Sequence, residues 1–312
     1  MKNILWITLV TGLLSLLSLP YLLNEEHEEL LSGNLTTVGE IAETESGFIH
    51  YNLYGQETDP LVVLVHGFSV PSYTWDNTVP FLTSQGYRVL TFDLYGRGYS
   101  SRVHQRYDRA LFVNQLNDLL MALNINEKVN LVGLSMGAAI ISAFASDYPH
   151  KVDKLVLLAP FHQPVDIGIL AYPLLGDFVA YSFMIPNMSD NQYDDFIEPE
   201  NYPLWSEKYK IQMKYQGFRA ALLTTARDYL QSDPMADFRA VNQFNIKSLL
   251  LWGSEDRVFS VTNQPLVATA LGKHNKSITI NNAGHALHYE RAEQVSPLIV
   301  KFLSTSGASE TP

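Results

Sequence analysis

Short apolar runs alternate along this chain with longer stretches in which apolar residues recur at helical spacing. Leu61 to Val65 (LVVLV), Arg88 to Phe92, Val129 to Val132, Leu155 to Leu158 and Ser248 to Trp252 are rich in branched residues, the pattern of strands buried on both faces. Ser277 to Ile280 (SITI) reads as a further strand. Helix-length segments lie between them, around Trp75 to Gln85, Ala110 to Leu123 and Met136 to Tyr148, the last stopped by Pro149. Val38 to Glu43 and Phe48 to Leu53 flank Glu45-Ser46-Gly47, the punctuation of a short antiparallel hairpin. Strand alternating with helix predicts an α/β fold: a mostly parallel, eight-stranded sheet covered by helices on both faces.

The rhythm breaks after Phe161. Until about Val241 helical patterns such as Trp205 to Tyr215 and Phe218 to Leu230 occur without a buried strand, so 161–240 is expected to be a helical lid inserted between core segments 38–160 and 241–304. A last helix is expected around Glu290 to Leu303, a linker at 24–37 and a polar, flexible tail at 305–312. Ile4 to Leu23 passes twenty residues without a charge, which as a helix matches a hydrocarbon core of about 30 Å. Segment 1–23 therefore reads as a transmembrane anchor in preference to a cleaved signal peptide, whose apolar region is shorter. A buried core helix is disfavoured because such helices rarely lack a polar face over this length. Lys2 precedes the segment and Glu25, Glu26, Glu28 and Glu29 follow it, so the expected partner is a membrane, with the catalytic body outside the cytoplasm. Secretion or periplasmic release after cleavage is the alternative.

Composition narrows the function classes. Hydrophobic residues make up 46% and charged residues 17%, the mixture of a chain with a large core. A net charge of -11 with no Lys/Arg run repels phosphates and argues against a nucleic acid partner. With no cysteine there is no disulfide, no thiolate nucleophile and no cysteine-based metal site.

Chemistry concentrates at Gly133-Leu134-Ser135-Met136-Gly137, a G-x-S-x-G motif placed after a strand pattern and before a helix pattern. A nucleophile on so sharp a turn needs small neighbours, and glycine stands at 133 and 137. The turn also aims the N–H of Met136 at the place where a carbonyl oxygen becomes anionic. A serine hydroxyl requires a base and a group fixing that base's tautomer, on this architecture usually in the order serine, acid, histidine. His285, in Ala283-Gly284-His285 after SITI, is the expected base, with His288 its competitor. Asp256 follows LLLWGSE at the end of a buried strand and is the expected acid, with Glu255 and Asp166 as fallbacks. His66-Gly67-Phe68 follows LVVLV and offers the Phe68 N–H as a second oxyanion donor, while the His66 side chain reads as structural. Asp93 to Ser100 (DLYGRGYS) reads as wall, its carboxylate and arginine expected to pair with each other.

Together HGF, DLYGRGYS, GLSMG, GSEDRVF and GH, in this order over about residues 38 to 304, resemble the α/β-hydrolase superfamily. The segment GFRAALLTTARDYL and the SMG elbow are most similar to its lidded branch, which includes monoacylglycerol-lipase-like esterases and meta-cleavage-product C-C hydrolases. The elbow departs from the common SMGG by reading SMGA, which adds a methyl group beside it. Relatives with an aspartate nucleophile, such as haloalkane dehalogenases, do not fit Ser135. The expected reaction is acyl transfer on a small-molecule or lipid ester with an apolar acyl chain, requiring no metal or organic cofactor. C-C bond hydrolysis of a meta-cleavage-type diketone by the same residues, and a non-catalytic binding protein that kept the fold, are the rival readings.

Overall fold

Eight strands form one sheet in the computed structural model, which describes residues 2–34 and 39–305. Val38, residues 35–37 of the expected linker, Met1 and residues 306–312 of the expected tail lie outside the described residues. The strands are β1 Glu40–Glu43, β2 Phe48–Tyr54, β3 Leu61–Val65, β4 Arg88–Phe92, β5 Val129–Leu134, β6 Val152–Leu158, β7 Lys247–Gly253 and β8 Asn275–Ile280. Their order is β1-β2-β4-β3-β5-β6-β7-β8, with β1 and β2 antiparallel and every pairing from β4 to β8 parallel. All five residues of β3 and all six of β5 are buried, which is why they read as unbroken apolar runs. The chain turns one way from β3 to β4 and the other way to β5, so the carboxyl ends of β3 and β5 form the switch point where open α/β sheets bind ligands.

The helices are α1 Lys2–Leu22, α2 Val79–Ser84, α3 Arg109–Ala122, α4 Met136–Asp147, α5 Leu175–Val179, α6 Met188–Asn191, α7 Trp205–Met213, α8 Phe218–Asp228, α9 Met235–Gln243, α10 Gln264–Leu271, α11 Leu287–Glu290 and α12 Ala292–Leu303. From β6 to β7 the chain is helical, without a strand among the described residues. This insertion has its own apolar cluster, in which Ile185, Phe196, Trp205, Tyr209 and Phe218 pack with Val70 and Ala286 of the sheet-edge loops.

The expected membrane anchor is overturned, and with it the extracytoplasmic placement and the release after cleavage: among the described residues no helix is long and apolar enough to cross a membrane. A count of uncharged residues overstates α1, which carries Thr8, Thr11, Gly12, Ser15 and Ser18 and has Pro20 in its last turn. Its C-terminal end is taken up by protein instead: the Pro20 carbonyl accepts a hydrogen bond from Arg219 Nη1 at 2.8 Å, and Ser18 to Pro20 are half-buried. The acidic stretch that follows also lies on the insertion, where Glu26 pairs with Arg219 and the N–H groups of His27 and Glu28 donate to the Lys214 carbonyl at 2.8 and 2.9 Å.

Candidate active site

Ser135 sits between β5 and α4 at φ 54°, ψ -117°, a left-handed backbone that a non-glycine residue adopts only under constraint. The constraint comes from the next strand: the Ser135 N–H donates to the Leu158 carbonyl at 2.8 Å, and its own carbonyl accepts from Phe161 at 3.1 Å. A Cβ at Gly133 would stand 2.5 Å from the Gly137 carbonyl oxygen, and one at Gly137 would collide with the carbonyls of Val65 and His66. Both glycines are therefore required by close backbone approach. Ala138 and Ala139 donate back to the Ser135 carbonyl at 3.1 and 3.4 Å, so the N–H of Met136 lies ahead of the first intrahelical bonds.

Across the switch point, Phe68 follows β3. His66 is buried behind it, donating Nδ1–H to the Gly67 carbonyl and accepting the Leu94 N–H at Nε2, each at 2.9 Å. Burial pulls its pKa down to about 4, in keeping with a neutral, structural ring. Asp93 and Arg97 do not pair as expected. Asp93 accepts from His50 Nδ1 at 2.8 Å and from the N–H groups of Ser72 and Tyr99 at 2.8 and 2.9 Å. Arg97, fully buried, donates Nε to the Phe68 carbonyl at 2.8 Å and Nη1 to the Tyr95 carbonyl at 3.1 Å, and its guanidinium lies 5.4 Å from the Phe68 ring. The intervening turn gives the two side chains different partners, which adjacency in sequence does not reveal.

The loop after β8 carries His285 over the end of β7. A Cβ on Gly253 would meet the carbonyls of Ala283 and Gly284, so this loop rests directly on bare backbone. His285 Nδ1 bonds Asp256 Oδ2 at 2.9 Å, while Asp256 Oδ1 accepts the N–H groups of Val258 and Phe259, both at 2.9 Å. Burial lowers the His285 pKa, but the charge and hydrogen bond of Asp256, with help from Asp195, raise it by more, leaving it above the ordinary histidine value. His288, the competing histidine, is buried in α11 with Nε2 on Thr74 Oγ1 at 2.8 Å, and burial drives its pKa down to about 3. The fallback acids stand elsewhere: Asp166 Oδ1 takes the exposed Gly168 N–H at 2.9 Å, and Glu255 makes no bond to His285.

Ser135, His285 and Phe68 line one cavity of about 180 Å³, whose apolar wall includes Val70, Leu134, Met188, Trp205 and Val258. The Ser135 hydroxyl forms no hydrogen bond with a described residue, and in unliganded sites the serine–histidine contact commonly tightens only with substrate. A larger cavity of about 400 Å³ on the His50 side is lined by Tyr73, Asp76 and Tyr99 and contains none of these groups. Two residues of this region escape sequence reasoning. Glu290 takes the Gly284 N–H at one oxygen and the Ile197 N–H at the other, at 3.1 Å, and Asp195 lines the cavity while its carbonyl accepts from Ala286 at 3.1 Å. Both tie the His285 loop to the insertion. Among the described residues no group of three or more His, Asp or Glu side chains is placed to hold a metal ion.

A family profile described as the alpha/beta hydrolase fold matches residues 60–292. The chain is 27% identical over 290 residues to 2-hydroxy-6-oxo-6-phenylhexa-2,4-dienoate hydrolase of Comamonas testosteroni, covering 88% of this chain and 98% of that protein. It is 27% identical over 277 residues to epoxide hydrolase 4 of Mus musculus, covering 81% of this chain and 76% of that protein. In structure it is similar to the enol-lactonase of Burkholderia xenovorans, with a TM-score of 0.74, 18% identity, and coverage of 85% of this chain and 100% of that one.

Proposed function

The chain belongs to the alpha/beta hydrolase family, and from that premise we propose that it is a serine hydrolase cleaving carboxylic esters through an acyl-enzyme on Ser135. The observation that carries this reading is a serine in a strained elbow sharing a small cavity with a histidine already bonded through Nδ1 to a buried aspartate. In the proposed reaction Ser135 Oγ attacks the ester carbonyl while His285 Nε2 takes its proton, and the N–H groups of Met136 and Phe68 receive the oxyanion. His285 then passes the proton to the departing alkoxide, releasing the alcohol. Water, deprotonated by the same imidazole, attacks the acyl-enzyme and frees the acid and Ser135. Asp256 holds the ring with Nε2 facing the serine and stabilises the imidazolium.

The apolar wall supports an apolar acyl group, and a volume of about 180 Å³, below the usual range for drug-sized ligands, favours a short chain over a long one. Similarity to the dienoate hydrolase supports a second reading, C-C cleavage of a diketone by the same residues. Fluorophosphonate labelling with mass spectrometry, followed by rates on p-nitrophenyl esters of increasing chain length, a monoacylglycerol and a dienoate ring-cleavage product, tests both. Labelling of Ser135 and turnover falling beyond short acyl chains are expected, with Ser135→Ala lowering kcat about a millionfold. Turnover of the dienoate alone would replace the ester reading by the C-C one. An unlabelled Ser135 in folded, inactive protein would leave a binding module.

A further inference from the structure

The cavity wall is chemically lopsided. Among the described residues lining it, Asp195 and His285 are the only ionisable side chains, and no lysine or arginine is present. Apart from the Ser135 hydroxyl, the hydroxyl and amide side chains have protein partners: Ser69 Oγ donates to Gln192 Oε1 at 3.1 Å, Gln192 Nε2 to the Met188 carbonyl at 3.0 Å, and Thr74 Oγ1 meets His288 at 2.8 Å. The Asp195 carboxylate has no hydrogen-bond partner among the described residues, although its backbone is fixed by the Ala286 N–H. Half-buried Asp195 thus brings an acceptor without a protein partner to a wall that is otherwise largely apolar.

We infer that Asp195 selects substrates at this site, favouring uncharged esters that carry a hydroxyl group and rejecting those that carry a carboxylate. A hydroxyl can donate to the Asp195 carboxylate, whereas a carboxylate meets a like charge with no lysine or arginine among the described lining residues to balance it. Burial pushes the Asp195 pKa up and His285 pulls it down; with Asp256, Asp194 and Glu290 adding to the rise it stands at about 6, so the group is ionised at neutral pH. The inference rests on the serine-hydrolase reading and narrows it, because the acids released by ring cleavage of the dienoate type are anionic and lack a cationic anchor here.

The test compares kcat/KM at pH 7.5 for matched esters: propyl, 2-hydroxyethyl and carboxymethyl butyrate, which vary the alcohol, and ethyl butyrate, ethyl 3-hydroxypropanoate and monoethyl succinate, which vary the acyl side. The full chain is expected to prefer a hydroxyl ester over its plain isostere by about tenfold or more, the ratio of one charge-assisted hydrogen bond, and to disfavour both carboxylates. In Asp195→Ala the hydroxyl preference should collapse to a ratio near one. In Asp195→Asn the penalty against carboxylates should fall while part of the hydroxyl preference persists, since the amide oxygen still accepts. Each ratio is internal to one variant, and fluorophosphonate labelling of Ser135 counts the folded sites. Ratios unchanged by Asp195→Ala, or a wild-type chain that treats all six esters alike while Ser135 is labelled, would overturn the inference and leave the serine-hydrolase reading standing. Absence of both labelling and turnover would remove that reading and this inference with it.

Discussion

Two histidines in this chain rest Nδ1 on a buried aspartate, at opposite flanks of the sheet. His50 on β2 meets Asp93 after β4 at 2.8 Å, and His285 meets Asp256 at 2.9 Å. Each aspartate also accepts two backbone N–H groups, and all four side chains are less than one-tenth exposed. The pairs themselves are therefore nearly the same object. What differs is a neighbouring serine: Ser100 gives its hydroxyl to the Asp93 carbonyl at 2.6 Å and accepts the His50 N–H at 3.0 Å, whereas Ser135, which lines a cavity with His285, makes no hydroxyl hydrogen bond to a described residue at its strained elbow beside a helix start. A histidine–aspartate bond is a common way to lock loops, and the proposed reactivity rests on the unspent hydroxyl that shares a cavity with one pair and not with the other.

The largest expected contrast comes from exchanging each aspartate for asparagine. Asp256→Asn should lower kcat about ten-thousandfold, because the amide holds the wrong imidazole tautomer. Asp93→Asn should leave kcat per labelled site nearly intact but cost about 3–5 kcal/mol of stability in urea melts, as expected when one partner of a buried pair is removed. Equal losses of kcat per labelled site in the two variants would abolish the distinction.

A pH series sharpens the same comparison. The base must be neutral, so kcat/KM should fall about tenfold per pH unit on the acid side, with its midpoint above the ordinary histidine value because Asp256 outweighs burial at His285. In Asp256→Asn the midpoint should move down, since burial then acts with less opposition. Stability runs the other way at this pair: a raised folded pKa contributes most below about pH 6.5 and is lost as pH rises through the folded value. His66 and His288, held down to about 4 and about 3, give the opposite slope, with stability lost as pH falls below the unfolded histidine value. A stopped acid limb in residual activity, measured against chemical melts at the same pH values, separates these contributions.

Much of this was open to sequence reasoning because it follows local rules. Strands β3 to β7 are buried on both faces and so advertise themselves as apolar runs, and the elbow announces its glycines because two backbones touch there. Contacts made across the sheet or from the insertion leave no such trace. His50 and Asp93 meet only because β2 pairs with β4 in the register that sets Tyr51 opposite Phe92. Asp195 and Glu290 each end a helical turn of four residues, too short to show a period, and reach the His285 loop through tertiary packing. For α1 a count of uncharged residues stood in for hydropathy, and the hydroxyl-bearing residues, glycine and proline within that count were read as apolar length.

Arg97 marks the other side of the comparison, since its expected partner Asp93 is claimed by His50 while its own Nε holds the Phe68 carbonyl. It is a positioning residue for the proposed oxyanion loop. Burial lowers its pKa to about 10, which leaves it charged. Arg97→Lys keeps that charge but not the planar fork, so kcat should fall about tenfold with KM little changed, whereas a merely structural role would lower labelled sites and leave kcat per site alone.

The smallest effect is expected at the elbow's departure from the commoner sequence. Ala138 is fully buried and its N–H closes the first turn of α4 on the Ser135 carbonyl at 3.1 Å, so its methyl group is packed in the core without disturbing the turn. Ala138→Gly should therefore cost about 1 kcal/mol through backbone freedom and lost packing, and leave kcat per labelled site unchanged. A gain in stability would mean that the methyl crowds the elbow, and that Ser135 owes part of its strained conformation to that crowding in addition to the grip of Leu158 and Phe161.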